Sequence, residues 1–162
     1  MKIYGLGPRT IKTALAVFIC FITTDLFNAF GIPMLTFYAA ITTVFSMQPT
    51  ISQSKDVGKQ RVLGTMVGAF VGIASFFVFT NFLPSAIISI AASITVLITI
   101  YTCVKLTIPL GIPTACIIVI SIYSITSHDY IDVAILRVFE TMYGVLVALA
   151  VNKYVWSPKE NA

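Results

Sequence analysis

Residues 61–74 read RVLGTMVGAFVGIA, and residues 137–150 read RVFETMYGVLVALA. Arg, Val, Thr, Met, Gly, Val and Ala recur at the same offsets, seven identities in fourteen across a separation of 76 residues (137 − 61). Both copies lie in apolar stretches long enough to cross a bilayer. Duplication within an apolar chain predicts a transporter or pore built from two related halves. One mismatch stands out chemically: Gly64 of the first copy becomes Glu140 of the second.

The surrounding sequence sets the class. Of 162 residues, 58% are hydrophobic and only 10% charged, against roughly 45–50% and about 25% in soluble domains. A soluble core of this size cannot hide so much apolar surface, so the chain is read as one integral membrane domain. No cleavable signal is expected, because the first apolar segment is too long and lacks an A-x-A-like site. The net charge of +4 reflects basic residues held in cytoplasmic loops, and no basic run suits nucleic acid. Cys20, Cys103 and Cys116 fall in apolar segments without CxxC spacing, and His128 is the single histidine. No metal site or cofactor is therefore expected. There is no G-x-S-x-G and no Walker motif, so hydrolytic catalysis and an ATP-driven pump are excluded for this chain alone.

Six spans are expected, at about 11–30, 33–47, 62–80, 85–104, 109–126 and 131–155. The second and fifth are short, and Pro109, Gly111 and Pro113 interrupt the fifth. Lys2, Arg9, Lys12, Lys55, Lys59, Arg61, Lys105, Lys153 and Lys159 all fall on one side of this arrangement, nine of the ten basic residues. That side is cytoplasmic by the positive-inside rule, and both termini lie there. Tyr154 and Trp156 sit where an interfacial aromatic belt is expected. The tenth basic residue, Arg137, enters its span from outside, whereas its counterpart Arg61 enters from inside. The expected fold is thus all-α, with six transmembrane helices as two inverted three-helix repeats, at about 9–80 and 85–155. A single domain covers 1–156, and 157–162 form a short cytoplasmic tail. Gly31-Ile32-Pro33 and Gly111-Ile112-Pro113 match more weakly, at an offset of 80.

Several residues carry candidate chemistry, each with a plain alternative. Gly64, Gly68 and Gly72 share one helical face and suit close helix packing, as does Gly144, with direct substrate contact as the other reading. Pro33, Gly111 and Pro113 mark places where helices break, which in duplicated transporters point to a binding site; helix caps or kinks are the alternative. Arg137 and Glu140 lie one turn apart, with Glu140 about nine residues, or ~13 Å, into its span. Either they form an ion pair that permits insertion, or Arg137 attracts an anion while Glu140 gates it or carries a proton. Lys12 is expected to snorkel to the cytoplasmic interface, and Asp25 and Lys105 are likewise read as interfacial. Thr50, Ser52, Ser54, Lys55, Lys59 and Arg61 make a polar, basic mouth, either an anion collector or an ordinary loop.

Taken together, Arg9-x-x-Lys12-Thr13, Gln48-Pro49-Thr50, Ser54, Gly58-x-x-Arg61-x-x-Gly64-Thr65-x-x-Gly68, Arg137-x-x-Glu140-Thr141-x-x-Gly144, Asn152 and Pro158 form a pattern over nearly the whole chain. It resembles the membrane domain of the fusaric acid resistance and aromatic acid exporter superfamily. The resemblance is closest to small Gram-positive-type members and extends distantly to plant aluminium-activated malate channels. It implies a plasma-membrane efflux protein for small organic anions, often aromatic carboxylates, with Lys12, Arg61 and Arg137 facing the anion. Longer relatives add a soluble cytoplasmic domain or a second membrane half. Six helices enclose little by themselves, so a homodimer in the lipid bilayer is expected. An anion channel and a non-transporting structural or regulatory membrane partner are the competing expectations.

Overall fold

The computed structural model describes residues 7–31, 36–82, 88–125 and 129–155. Among these residues, six α-helices follow one another: α1 Pro8–Ala29, α2 Thr36–Ser46, α3 Ile51–Phe82, α4 Ile88–Lys105, α5 Ile112–Tyr123 and α6 Tyr130–Tyr154. A 3-10 turn at Pro109–Gly111 precedes α5. Four helices, α1, α3, α4 and α6, are long and apolar enough to cross a membrane, while α2 and the Pro109–Tyr123 segment are shorter. Pro33 lies outside the described residues.

Large apolar side chains point outward: Phe70 is 77% and Phe82 81% exposed. Four charged side chains turn inward, although others such as Arg9, Lys55 and Lys105 stay exposed: Lys12 is 5%, Arg61 4%, Arg137 7% and Glu140 0% exposed. A water-soluble domain shows the reverse distribution. Lipid accepts the apolar exterior, and the polar groups must then be satisfied inside the protein.

One expectation about elements needs correction. Lys55, Lys59 and Arg61 do not lie in a connection. α3 starts at Ile51 and runs 32 residues, about 48 Å at 1.5 Å per residue, so it outreaches a ~30 Å hydrocarbon core. No proline interrupts the chain between Pro49 and Pro84, and Thr50 Oγ1 accepts the Gln53 N–H at 3.2 Å, capping the first turn. Pro113 occupies the first turn of α5, where a missing N–H costs nothing, in line with the helix-cap alternative.

The helices form two compact units: residues up to 59 together with those from 140 onward, and residues 60–139. In the first, α1 packs on α2, and Ala16, Met47, Val147, Ala148 and Val151 form the core. A Cβ added at Gly144 would overlap the Ala39 carbonyl and stand 3.0 Å from Thr42 Cβ. The Thr43 hydroxyl lies 2.9 Å from Ala39 O and 3.0 Å from Gly144 O, tying α2 to α6 at that crossing. In the second unit, α4 packs on α5. α3 lies so close to α5 that a Cβ at Gly68 would stand 2.5 Å from Ala115 O, and one at Gly64 would overlap the Gly111 carbonyl. Phe76, Ile118, Ile122 and Ala134 pack beyond this crossing.

The two crossings use matching residues. Gly68 meets Ala115 and Gly144 meets Ala39, and both members are displaced by 76 (144 − 68 and 115 − 39). This register differs from the offset of 80 that aligns the two Gly-Ile-Pro elements. Gly31 lies beyond the end of α1 at φ +80°, where glycine is favoured. Gly111 has φ −85° and is small because Gln60 O and Gly64 approach it.

Candidate functional site

In the first unit, one polar network joins α1, the α2–α3 corner and α6. Lys12 Nζ donates to Asn152 Oδ1 at 3.1 Å. Asn152 Nδ2 lies 3.0 Å from Gln48 O, 3.2 Å from Thr50 O and 2.9 Å from Ser54 Oγ. The orientation of this amide is fixed by chemistry. An ammonium only donates and a backbone carbonyl only accepts, so oxygen must face Lys12 and nitrogen must face the corner. Ser54 Oγ also accepts the Gln48 N–H at 2.9 Å, and Ser54 N–H donates to Thr50 O at 3.1 Å. Asn152 and Ser54 are fully buried. The first turns of α1, the α2–α3 corner and the last turn of α6 therefore share one end of this unit. Arg9, Lys55 and Lys153, each adjacent to that network along its helix, are exposed.

Lys12 is buried near the start of α1, where it donates to a neutral amide. Glu140 begins the α6 segment of the same unit. Glu140, Gly144, Ala148 and Asn152 recur at intervals of four and are all buried, so they form one inward stripe of α6. The hydroxyls of the unit continue the polar interior. Thr24 donates to Thr36 at 2.9 Å, Cys20 Sγ lies 3.6 Å from Thr43 Oγ1, and Thr23 bonds Tyr143.

The second unit holds Arg61, Gly64, Gly68, Gly72, Gly111, Pro113 and Arg137. Arg61 and Arg137 are both buried. The Arg61 carbonyl accepts Thr65 Oγ1 at 2.8 Å and Thr114 Oγ1 at 3.3 Å, and Leu110 N–H donates to Gln60 Oε1 at 3.1 Å. The start of α5 is thereby stitched to α3 beside Arg61. Gly72 faces Ile122 Cδ1, to which an added Cβ would come within 2.7 Å. Gly64, Gly68 and Gly72 thus all face α5, as helix-packing positions do. At the far end of this crossing, Tyr123 OH lies 3.0 Å from Thr95 Oγ1 and donates to Ser75 Oγ at 3.3 Å.

Asn152 and Gln48 are absent from the candidate residues read from composition and spacing, and Ser54 appears there only as part of the polar mouth. A signal existed for Asn152: it continues the buried α6 stripe four residues after Ala148, where an amide needs partners. Its partner Lys12 is 140 residues away, beyond the reach of any local pattern. Among the described residues, no cluster of three His, Cys, Asp or Glu side chains could hold a metal.

Relatives of known sequence match this chain over most of its length. The chain is similar to a UPF0421 protein of Bacillus cereus, 31% identical over 152 residues that cover 94% of this chain and 40% of that protein. It is also similar to a UPF0421 protein of Staphylococcus haemolyticus, 29% identical over 154 residues covering 95% of this chain and 44% of that protein. The chain therefore spans less than half the length of these curated relatives. No solved structure matches it. The family described as aromatic acid exporter family member 1 matches residues 4–155, and this all-helical, multi-pass membrane protein belongs to that family.

Proposed function

We propose that the chain exports small organic anions, aromatic carboxylates among them, across the plasma membrane, with both termini cytoplasmic. The observation that carries this reading is the burial of Lys12, Arg61 and Arg137 within helices whose outer faces are apolar. A cation at membrane depth costs at least about 2.5 kcal/mol on insertion scales, and such residues mark ion or substrate pathways. Three of them in one small helical domain suit an anionic cargo. Family membership points the same way, toward a transporter and away from an enzyme. Arg61 and Arg137 stand at equivalent places in the duplicated sequence, and the Gly68–Ala115 and Gly144–Ala39 crossings repeat at the same offset. These features support two inverted three-helix halves, a common transporter plan with its site at mid-membrane. A homodimer completes the path in this reading, and a native mass measurement in mild detergent that found only monomers would remove that element.

The test is flux. Proteoliposomes containing the wild type are expected to pass labelled benzoate. Arg137→Ala is expected to reduce the rate at least about tenfold, equivalent to losing ~1.4 kcal/mol of interaction with the passing anion. Absence of flux for every anion tried would favour a non-transporting membrane partner.

A further inference from the structure

Lys12 and Asn152 make an unequal pair. The lysine is 5% exposed and carries three N–H donors, yet its hydrogen-bond partner among the described residues is the uncharged oxygen of an amide. A buried ammonium is far better matched by a carboxylate, which supplies charge as well as lone pairs. The asparagine is better placed. Its nitrogen reaches Gln48 O, Thr50 O and Ser54 Oγ, so one side chain holds both the cation and the α2–α3 corner.

We propose that the Asn152 amide oxygen is a stand-in for a ligand carboxylate, and that the Lys12–Asn152 pair is a latch that the anion opens. This inference rests on the reading of Lys12 as an anion-facing residue. An arriving carboxylate takes the Lys12 N–H donors, and Asn152 Oδ1 loses its partner. Asn152 must then turn or withdraw, which weakens its hold on the corner through the same rigid amide. No bond is made or broken covalently; one neutral acceptor is exchanged for a charged one. The corner joins α2 to α3, so its release frees the start of α3, which carries Lys55 and Lys59. Ligand charge is thereby coupled to helix movement at the end of the unit where α1 begins and α6 ends. The chemistry that opens the latch is a monocarboxylate; an uncharged amide of the same shape lacks the charge that displaces Asn152.

Hydrogen exchange in lipid nanodiscs tests this, read on the peptide holding the Gln48 and Ser54 amides, both of which are bonded within the corner. Saturating benzoate is expected to speed exchange there at least about fivefold, the lower range of coupling between linked sites. Benzamide at the same concentration is expected to change nothing. In Lys12→Gln, whose side-chain amide can still donate to Asn152, benzoate should lose its effect. Unchanged or slowed exchange with benzoate, or an equal response to benzamide, overturns the latch using the wild type alone. Benzoate flux measured on the same preparation separates the two readings. Flux with an unmoved corner removes the latch and leaves the exporter. A benzoate-specific response without flux removes the exporter and leaves a carboxylate-binding latch.

Discussion

Gly68→Ala is expected to lower the unfolding free energy by about 2–3 kcal/mol, and Gly68→Leu to leave no monodisperse protein after extraction. The reason is the kind of atom that stands opposite. A Cβ at Gly68 would sit 2.5 Å from Ala115 O and 2.7 Å from Ala115 Cα. Both are backbone, and no rotamer change can move them. α3 would have to part from α5, which also separates the Arg61 carbonyl from Thr114 and Gln60 from Leu110. Gly64 faces the Gly111 backbone in the same way and should behave alike. Gly72 is the internal comparison. Its added Cβ would meet the Ile122 Cδ1 methyl at 2.7 Å, the far end of a flexible side chain that can turn aside. Gly72→Ala should therefore cost under about 1 kcal/mol. Thermal melting followed by size exclusion checks the ranking. Gly68→Ala melting with the wild type would mean that α3 and α5 are not in backbone contact.

This ranking also shows what the sequence could reveal. Glycines at 64, 68 and 72 fall on one helical face by spacing alone, so their packing role was legible. Their partner was not, because Ala115 carries no signal that singles it out from the other small residues of α5. The apolar runs located the helices, and of the three buried cations only Arg137 stood inside an expected span; Lys12 and Arg61 read as interfacial or loop residues. The start of α3 was misread because Ser52, Gln53, Lys55, Asp56 and Lys59 are polar and resemble a loop. They are helical because nothing between Ile51 and Phe82 stops the helix, and several of them reach water. The glycines that open the two Gly-Ile-Pro elements differ in their surroundings: Gly31 stands at positive φ, whereas Gly111 makes room for Gln60 and Gly64. The Gly68–Ala115 and Gly144–Ala39 contacts recur at an offset of 76, that of the longer sequence match, and not at the 80 of the tripeptides. The Lys12–Asn152 network lay furthest from view, since its members come from both ends of the chain and from the corner between α2 and α3.

Asn152→Ala is expected to destabilise the protein by about 3–5 kcal/mol, the range found when one partner of a buried charged interaction is removed. Lys12 would keep its charge in a buried site and lose its acceptor. Gln48 O, Thr50 O and Ser54 Oγ would lose a donor at the same stroke. Lys12→Met should cost less, about 1–3 kcal/mol, because it leaves only the Asn152 oxygen unsatisfied while the corner bonds persist. The two effects must not add. Once Asn152 is gone, removing the lysine also removes the stranded cation, so the double variant should be less destabilised than the sum of the single variants by about 2 kcal/mol. Denaturant or thermal unfolding of all four proteins in one detergent closes the cycle. Strict additivity would show that Lys12 and Asn152 stabilise the fold independently, and the hydrogen bond between them would then not be what holds α1 to α6 at this end of the unit.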